Sequence, residues 1–295
     1  MNLSKIAMIN DLTGFGHCSL AVAIPIVSVM GVQACPVPTG IFSNHMAFPD
    51  WYYSDFTPQM SEYLSAWEKL SLHFEGILCG FLGNESAIPT LSRFITRQKK
   101  EAGTLTLIDP VMGDHGKAYS SVTASYREAL RGLCMHADIL TPNLTEACFL
   151  TDMTYPAELM QETVTAKTYA SDGLPAAGDA LKKFLSNAAR KLHELGVCKV
   201  VITGIQAGKY FGNYVCESHA GEGELLWSKA GGPSRPGTGD IFAAVLAADA
   251  VNKVPFRNSV KKAAEFVRIC TEGSAALGIP VVEGVCLEKY LHLLN

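Results

Sequence analysis

The chain has 295 residues, of which 48% are hydrophobic and 18% are charged, so it can bury a large core and lacks the composition of a disordered protein. Its formal net charge is −4 and it has no basic run, which argues against nucleic acid or a membrane surface as partner and favours a small molecule. The nine cysteines include no CxxC pair, and the apolar run near the N-terminus is too short for a signal-peptide core, which predicts reduced thiols in a cytoplasmic protein.

Apolar runs rich in Val and Ile alternate with segments of helix length, which is typical of βαβ units and a mostly parallel sheet. Strands are predicted over 5–10, 32–38, 76–80, 103–109, 137–141 and 198–203. Helices are predicted over 17–30, 58–71, 86–101, 123–135, 178–196, 240–252 and 257–277. Residues 210–216 and 224–228 are predicted to form an antiparallel pair at a sheet edge, and residues 152–177 to be irregular. We expect a single domain over residues 1–295, because no boundary interrupts this pattern.

Four of the six predicted parallel strands end in polar or acidic residues. These strand ends are Asn10-Asp11, Asp109 to Asp114, Thr141 to Glu146, and Thr203-Gly204. In an open parallel sheet, ligands bind outside the carboxyl ends of the strands, where helix N-termini also point. The pattern therefore predicts a binding crevice at that edge. The alternative is that these residues form turns, in which Asp and Asn bond to their own backbone.

Gly237-Thr238-Gly239-Asp240 directly precedes an apolar, alanine-rich helix. Consecutive backbone N–H groups at a helix N-terminus attract an anion such as a phosphoryl group. A carboxylate at the same place can accept the proton of an attacking hydroxyl. Asp is also a favoured N-cap, so this segment alone leaves a catalytic base and an ordinary helix cap equally open.

Three acidic residues, Asp109, Asp114 and Glu146, lie at or just after two of the strand ends. Mg²⁺ on a nucleoside triphosphate prefers a few carboxylates and retained waters, which these residues can provide. The chain has no Walker GxxxxGK[ST] motif, no complete dinucleotide-binding glycine pattern, no HExxH and no GxSxG. P-loop NTPases, dinucleotide-binding enzymes, zinc enzymes and serine hydrolases are therefore disfavoured.

His45 follows the second predicted strand among the aromatic residues Phe42, Phe48 and Trp51. Such residues can stack on the planar ring of a substrate. They can equally pack against one another in a lid or an interface, and the sequence leaves both possibilities open.

The order of these segments along the chain resembles that of the pyridoxal kinase family within the ribokinase superfamily. The matching segments are Thr39 with Phe42-Ser43-Asn44-His45, Gly80-Phe81-Leu82-Gly83, Asp109-Pro110-Val111-Met112-Gly113-Asp114, Thr141-Pro142-Asn143-Leu144-Thr145-Glu146, Val201-Ile202-Thr203 and Gly237-Thr238-Gly239-Asp240. They extend from about residue 6 to about residue 275. The resemblance implies a three-layer α/β/α fold of the ribokinase type. It also implies a homodimeric kinase that uses ATP and Mg²⁺ to phosphorylate the 5′-hydroxymethyl group of pyridoxal, pyridoxamine or pyridoxine in vitamin B6 salvage.

The resemblance further implies roles for individual residues. Asp240 would take the proton of the hydroxymethyl group, and Gly237, Thr238 and Gly239 would form the anion hole for the transferred phosphoryl group. ATP would be bound by Asp109, Thr141, Asn143, Glu146, Thr203 and Gly204. The metal would be held at Asp109, Asp114 and Glu146, and Asp114 would also help to hold a monovalent cation. The substrate would contact Asn10, Asp11, Thr39, His45, Phe81, Tyr119 and Asp240.

The chain departs from the family pattern at two places. Many members have a serine followed by a histidine where this chain has Asn10-Asp11, which leaves the choice among the vitamers and hydroxymethylpyrimidine open. Asp11 beside a cationic amine would suit pyridoxamine. The stretch 231–236 is richer in glycine and proline than expected, and the sequence assigns it no role. The alternatives are a hydroxymethylpyrimidine kinase, a kinase of both rings, and a vitamer-binding protein without turnover.

Overall fold

The computed structural model describes residues 3–165, 173–175, 177–217, 219–220 and 222–295. The strands in this part are β1 (Lys5–Phe15), β2 (Gln33–Asn44), β3 (Tyr53–Asp55), β4 (Gly76–Cys79), β5 (Leu105–Ile108), β6 (Gly113–Asp114), β7 (Lys117–Ala118), β8 (Ile139–Leu140), β9 (Lys199–Ala207), β10 (Tyr210–Cys216) and β11 (Glu224–Lys229). The α-helices are α1 (Ser19–Val29), α2 (Thr57–Lys69), α3 (Ile88–Ala102), α4 (Ala124–Cys134), α5 (Leu144–Thr151), α6 (Ala157–Thr165), α7 (Asp179–His193), α8 (Thr238–Val251) and α9 (Phe256–Ala276). No helix in these ranges is both long enough and apolar enough to cross a membrane.

The chain divides into two compact units, and the first contains the residues up to Asp109 together with Gly231–Asn295. Its strands lie in the order β5-β4-β1-β2-β3. All neighbours are parallel except β2 and β3, which pair antiparallel. Helix α8 contacts α1, α9, β4 and β5, and residues 241–249 are all buried. Its many alanines permit this close approach of several elements around one helix.

Beyond Ile9, β1 no longer pairs with β4 but continues along β2 as far as the Phe15–Asn44 pair. A register shift after Asn10 marks the start of this extension. We call residues 12–15, 40–44 and 53–55 the flap. The sequence did not predict it, because glycines and polar residues interrupt the apolar pattern over these positions.

The second unit contains Pro110–Ala230. Its main strands lie in the order β8-β9-β10-β11, with β8 and β9 parallel and the others antiparallel. Thr203 and Gly204 on β9 face the single residue Asn213 on β10, which makes a β-bulge, and Gly204 has φ +75°. A positive φ at this position is accessible to glycine without strain.

The predicted α/β class with a mostly parallel sheet is confirmed, as is the antiparallel arrangement of β10 and β11. The prediction for 152–177 was wrong over Ala157–Thr165, which is helical, while residues 166–172 and 176 lie outside the described residues. Helix α5 was also missed, since eight residues show too little periodicity. The single domain over 1–295 stays a prediction.

Candidate active site

The N-terminus of α8 is built on a tight glycine turn. Gly237 is the N-cap residue and has φ +87°, and a Cβ atom there would overlap the His17 carbonyl oxygen, so only glycine fits. The Thr238 hydroxyl donates to the Arg235 carbonyl oxygen over 3.1 Å. Gly239 is exposed, and a Cβ atom on it would lie 3.7 Å from the Asp109 carboxylate. The first N–H groups of the helix therefore lie on an open face that has Asp109 at its border.

Asp240 lies in the first turn of α8 but is not its N-cap, so the interpretation as an ordinary cap was wrong. Its Oδ1 accepts from the Asn10 side-chain amide over 3.0 Å, and its Oδ2 accepts from the Ser19 backbone N–H over 2.8 Å. Burial raises the pKa of Asp240 from 3.8 to about 6, and the nearby Asp11 charge adds to the rise, while the two donors oppose it. A carboxylate with such a pKa is ionised at neutral pH and basic enough to accept a proton.

Asp11 is a second carboxylate in the same place, and only 4% of its surface is exposed. Its Oδ1 accepts from the Ser19 hydroxyl over 2.6 Å and its Oδ2 from the Thr13 hydroxyl over 2.7 Å. Burial raises the pKa of Asp11, and these hydrogen bonds oppose the rise. Ser19 thus contacts both carboxylates, yet nothing in the sequence distinguished it from an ordinary residue at a helix start.

Asn10 and Thr39 fix the backbone after β4. The Asn10 side-chain oxygen accepts from the Phe81 N–H over 2.8 Å, and the buried Thr39 hydroxyl donates to the Phe81 carbonyl oxygen over 2.8 Å. A Cβ atom at Gly80 would lie 2.6 Å from the Asn10 amide nitrogen, which explains the glycine. Asn10 therefore connects Phe81 with Asp240, whereas Thr39 reaches the site only through Phe81.

His45 directly follows flap residues 40–44, and both of its ring nitrogens have protein partners. Nδ1 accepts from the Ala47 N–H over 3.2 Å, so Nε2 carries the proton and donates to the Val282 carbonyl oxygen over 2.5 Å. The His45 ring also packs against Phe48, with 4.8 Å between ring centroids. Phe42 stacks on Tyr53 at 4.4 Å, so much of the aromatic cluster packs against itself.

Stretch 231–236, which the sequence assigned no role, anchors the glycine turn. The buried Arg235 guanidinium donates to the carbonyl oxygens of Ile279, Pro280 and Gly284 over 2.9–3.1 Å. A Cβ atom at Gly231 would overlap the Arg268 carbonyl oxygen of α9. The stretch therefore ties the start of α8 to the C-terminal segment.

In the second unit, Asn143 and Glu146 form a capping box at the start of α5. The Asn143 side chain accepts from the Glu146 N–H over 3.0 Å, and Glu146 accepts from the N–H groups of Asn143 over 2.8 Å and Met112 over 3.0 Å. The Asn143 amide donates to the Gly113 carbonyl oxygen over 2.8 Å. The chain after β8 is thus fixed against the β6 segment.

The remaining predicted residues of the second unit lie around these strands. Thr141 is buried directly after β8, and Thr203 bridges to Asn143 within the β9 bulge that contains Gly204. Asp114 and Tyr119 are exposed, and the Asp114 carboxylate accepts from the His115 N–H over 2.7 Å. The structure thus brings Asn143, Glu146, Thr203 and Gly204 together.

Hard oxygen ligands for a magnesium ion are present in both units. Asp109 is half-buried at the end of β5, and Glu146 and Asp114 lie in the second unit. Over the residues that the structure describes, no group of three or more His, Cys, Asp or Glu is arranged as a protein-only metal cage. Mg²⁺ commonly binds through one or two carboxylates with waters and substrate phosphates, so the carboxylates of either unit suit the ion.

Comparison with known proteins gives two related descriptions. The phosphomethylpyrimidine kinase family matches residues 179–282. Pyridoxal kinase from Arabidopsis thaliana is 28% identical over 209 residues, which are 69% of this chain but only 59% of that protein. The chain therefore spans less than two thirds of the length of this curated relative.

Similar crystal structures extend over almost the whole chain. A proposed phosphomethylpyrimidine kinase from Bacteroides thetaiotaomicron VPI-5482 has a TM-score of 0.87 and 30% identity, covering 100% of this chain and 94% of that one. A second crystal form of it, with pyridoxal, has a TM-score of 0.82 and 30% identity, covering 99% and 96%. By its ribokinase-like fold and by these similarities, the chain belongs to the pyridoxal kinase family of the ribokinase superfamily.

Proposed function

We propose that the protein is an ATP- and Mg²⁺-dependent kinase that phosphorylates the 5′-hydroxymethyl group of pyridoxal, pyridoxamine or pyridoxine, a step of vitamin B6 salvage. The observation that carries the proposal is the Asp240 carboxylate in the first turn of α8, where two N–H donors hold it and its pKa is raised to about 6. Family membership and the pyridoxal in the similar Bacteroides structure support this substrate class.

The proposed chemistry needs a base and a site for negative charge. A primary alcohol is a poor nucleophile at neutral pH, so Asp240 accepts its proton as the oxygen attacks the γ-phosphorus of ATP. The bond from this phosphorus to the oxygen that bridges it to the β-phosphate breaks, and ADP leaves. The N–H groups of residues 237–239 and the positive end of the α8 dipole stabilise the charge on the transferred phosphoryl group. Asn10 and Ser19 hold the Asp240 carboxylate in one orientation during the transfer.

We propose that ATP is bound by Asp109, Thr141, Asn143, Glu146, Thr203 and Gly204. The metal ligands would be Asp109, Asp114 and Glu146, with Asp114 also contributing to a monovalent cation site. Magnesium would neutralise charge on the ATP phosphates. Since Glu146 already accepts two backbone N–H groups, we expect it to hold the ion partly through water.

The substrate side of the site is proposed to be formed by Asn10, Asp11, Thr39, His45, Phe81, Tyr119 and Asp240. Three of these residues have their polar side-chain atoms bonded within the protein, so they act differently from what the resemblance implies. Both Asp11 oxygens accept hydrogen bonds from protein hydroxyl groups. The Thr39 hydroxyl and both His45 ring nitrogens have partners within the protein, so Thr39 acts through Phe81 and His45 offers its ring face.

A second candidate is a hydroxymethylpyrimidine kinase, which the match of residues 179–282 and the description of the Bacteroides protein favour. Both substrates are planar heteroaromatic alcohols, so the same base and anion site would serve either one. We also propose a homodimer located in the cytoplasm. All nine cysteines are free thiols, which supports a reducing compartment.

The test is to mix the protein with MgATP and each of pyridoxal, pyridoxamine, pyridoxine and hydroxymethylpyrimidine, and to follow ADP release and the phosphorylated product. The proposal expects ADP release in step with 5′-phosphate formation on at least one vitamer. Turnover of the pyrimidine alone would replace it with the second candidate. Tight vitamer binding without ADP from any of the four would show a binding protein without turnover.

A further inference from the structure

A buried carboxylate beside the proposed base is unusual, because two close negative charges oppose each other's ionisation. Asp11 is 4% exposed, and both of its oxygens accept hydrogen bonds from hydroxyl groups of the protein itself. It therefore does not have to contact a ligand to be satisfied. One of its two hydrogen-bond partners also donates a hydrogen bond to Asp240.

Ser19 makes this connection. Its hydroxyl donates to Asp11 over 2.6 Å, and its backbone N–H donates to Asp240 over 2.8 Å. Ser19 has φ +55°, a left-handed conformation that an L residue holds only when its surroundings enforce it. The Ser19 hydroxyl also interacts with the Cys18 thiol, and its hydrogen bond to the Asp11 carboxylate over 2.6 Å is the contact with a charged group that can enforce this conformation.

We propose that Asp11 is a positioning residue for phosphoryl transfer, which holds Ser19 in its left-handed conformation so that the Ser19 N–H fixes the Asp240 carboxylate. This inference rests on the proposed function, because it takes Asp240 as the base. It assigns Asp11 a contribution to kcat rather than to the choice among ring substrates.

The charges around Asp240 give the inference a second readout. Asp11 in β1 and Cys18 just before α1 are its titratable neighbours. Asp109, directly after β5, lies near Gly239, and His45, directly after the flap, acts to lower the pKa of Asp11. Burial and both carboxylates raise the pKa of the Cys18 thiol to about 12, so it stays neutral. Removing the Asp11 charge should therefore shift the acid limb of the kcat profile, which reports on Asp240, to lower pH.

The experiment compares Asp11→Asn, Ser19→Ala and their double variant with the intact enzyme on MgATP and the best vitamer. Each single variant is expected to lower kcat about tenfold with the KM for ATP within about twofold, since a positioning loss leaves nucleotide contacts intact. The double variant should be no slower than the slower single variant, because both changes break the same contact. Asp11→Asn should also shift the acid limb downward by about half a pH unit or more.

Thr13→Val is the matched control, since it removes the hydroxyl on the other oxygen of Asp11 and leaves the Ser19 contact in place. Its kcat should stay within about threefold of the intact enzyme. Thermal unfolding checks that each variant folds, and if Ser19→Ala does not, Asp11→Asn carries the test alone. Ser19→Gly, which adopts positive φ freely, should keep more of kcat than Ser19→Ala.

The outcomes separate the two proposals. Normal kcat and an unshifted acid limb in Asp11→Asn and Ser19→Ala, with a slow Asp240→Asn, would overturn this inference and leave the proposed function standing. A Thr13→Val variant as slow as Ser19→Ala would also overturn it. An intact enzyme that turns over no ring substrate would overturn the proposed function and this inference with it.

Discussion

The Asp240→Asn substitution should change the pH dependence of stability in a way that reports directly on the base. The pKa of Asp240 is raised from 3.8 to about 6 in the folded protein, mainly by burial of its carboxylate. A carboxylate with a raised pKa binds its proton more tightly in the folded chain than in the unfolded chain. The stability it contributes is therefore fully present below pH 3.8 and is lost as the pH rises through about 6.

The shift sets the size of this effect. A pKa rise from 3.8 to about 6 corresponds to roughly 3 kcal/mol of unfolding free energy, of which about 2 kcal/mol is lost between pH 4.5 and pH 8. Asparagine does not titrate, so the unfolding free energy of the variant does not fall in this way as the pH rises. It also places an amide NH₂ group opposite either Asn10 or Ser19, which adds a constant cost that does not vary with pH.

Urea unfolding of both proteins at several pH values between 4.5 and 8 measures this difference. The free energy of unfolding of Asp240→Asn, minus that of the intact protein, should grow by about 2 kcal/mol over this range and level off above pH 7. A difference that stays constant from pH 4.5 to pH 8 would refute the raised pKa of Asp240, independently of any activity.

Three further tests, two of them with a paired variant, separate folding from function. Gly237→Ala should cost at least about 2 kcal/mol of unfolding free energy, because residue 237 has a positive φ and a Cβ atom there has no space. Gly239→Ala should fold normally but lower kcat, because its methyl group crowds the open face. Equal stabilities of the two variants in urea unfolding would contradict this. Arg235→Met should cost about 2–4 kcal/mol of unfolding free energy, because it leaves three carbonyl oxygens without their donor. The control Arg93→Met, at an exposed position, should stay within about 0.5 kcal/mol of the intact protein in thermal unfolding. Similar losses of stability in both variants would contradict the anchoring role of Arg235. Glu146→Ala should cost about 1–3 kcal/mol of unfolding free energy, because the capping box is lost. It should also raise the KM for MgATP. An unchanged KM would show that Glu146 does not belong to the metal site.

Much of the fold follows from local patterns in the sequence. Short apolar runs predict β4, β5 and β9, and the segments of helical periodicity predict α3 and α7. Burial of these apolar residues is the main driving force for folding, and it requires such spacing. The segment Gly237 to Asp240 could be identified from the order of residues alone, since glycines ahead of an apolar run mark a helix start. The pairing of Asn143 with Glu146 was a capping-box pattern that could also have predicted α5.

The rest depends on contacts between residues far apart in the chain. Asp240 meets Asn10 and Ser19 across more than 200 positions, and no local pattern marks Ser19 as their partner. Arg235 anchors a turn to carbonyl oxygens about 45 residues later, and backbone acceptors carry no sequence signal. The flap formed where polar residues and glycines break the alternation that predicts strands.

The most direct test of the account is the single-turnover rate of phosphoryl transfer at pH 8, measured for the intact protein and for Asp240→Asn with saturating MgATP and the best ring substrate. If Asp240 is the base, the rate in the variant should fall by about 10²–10⁴-fold while the Kd for ATP stays within about twofold. A variant that transfers the phosphoryl group at nearly the intact rate would show that Asp240 only helps to build the start of α8.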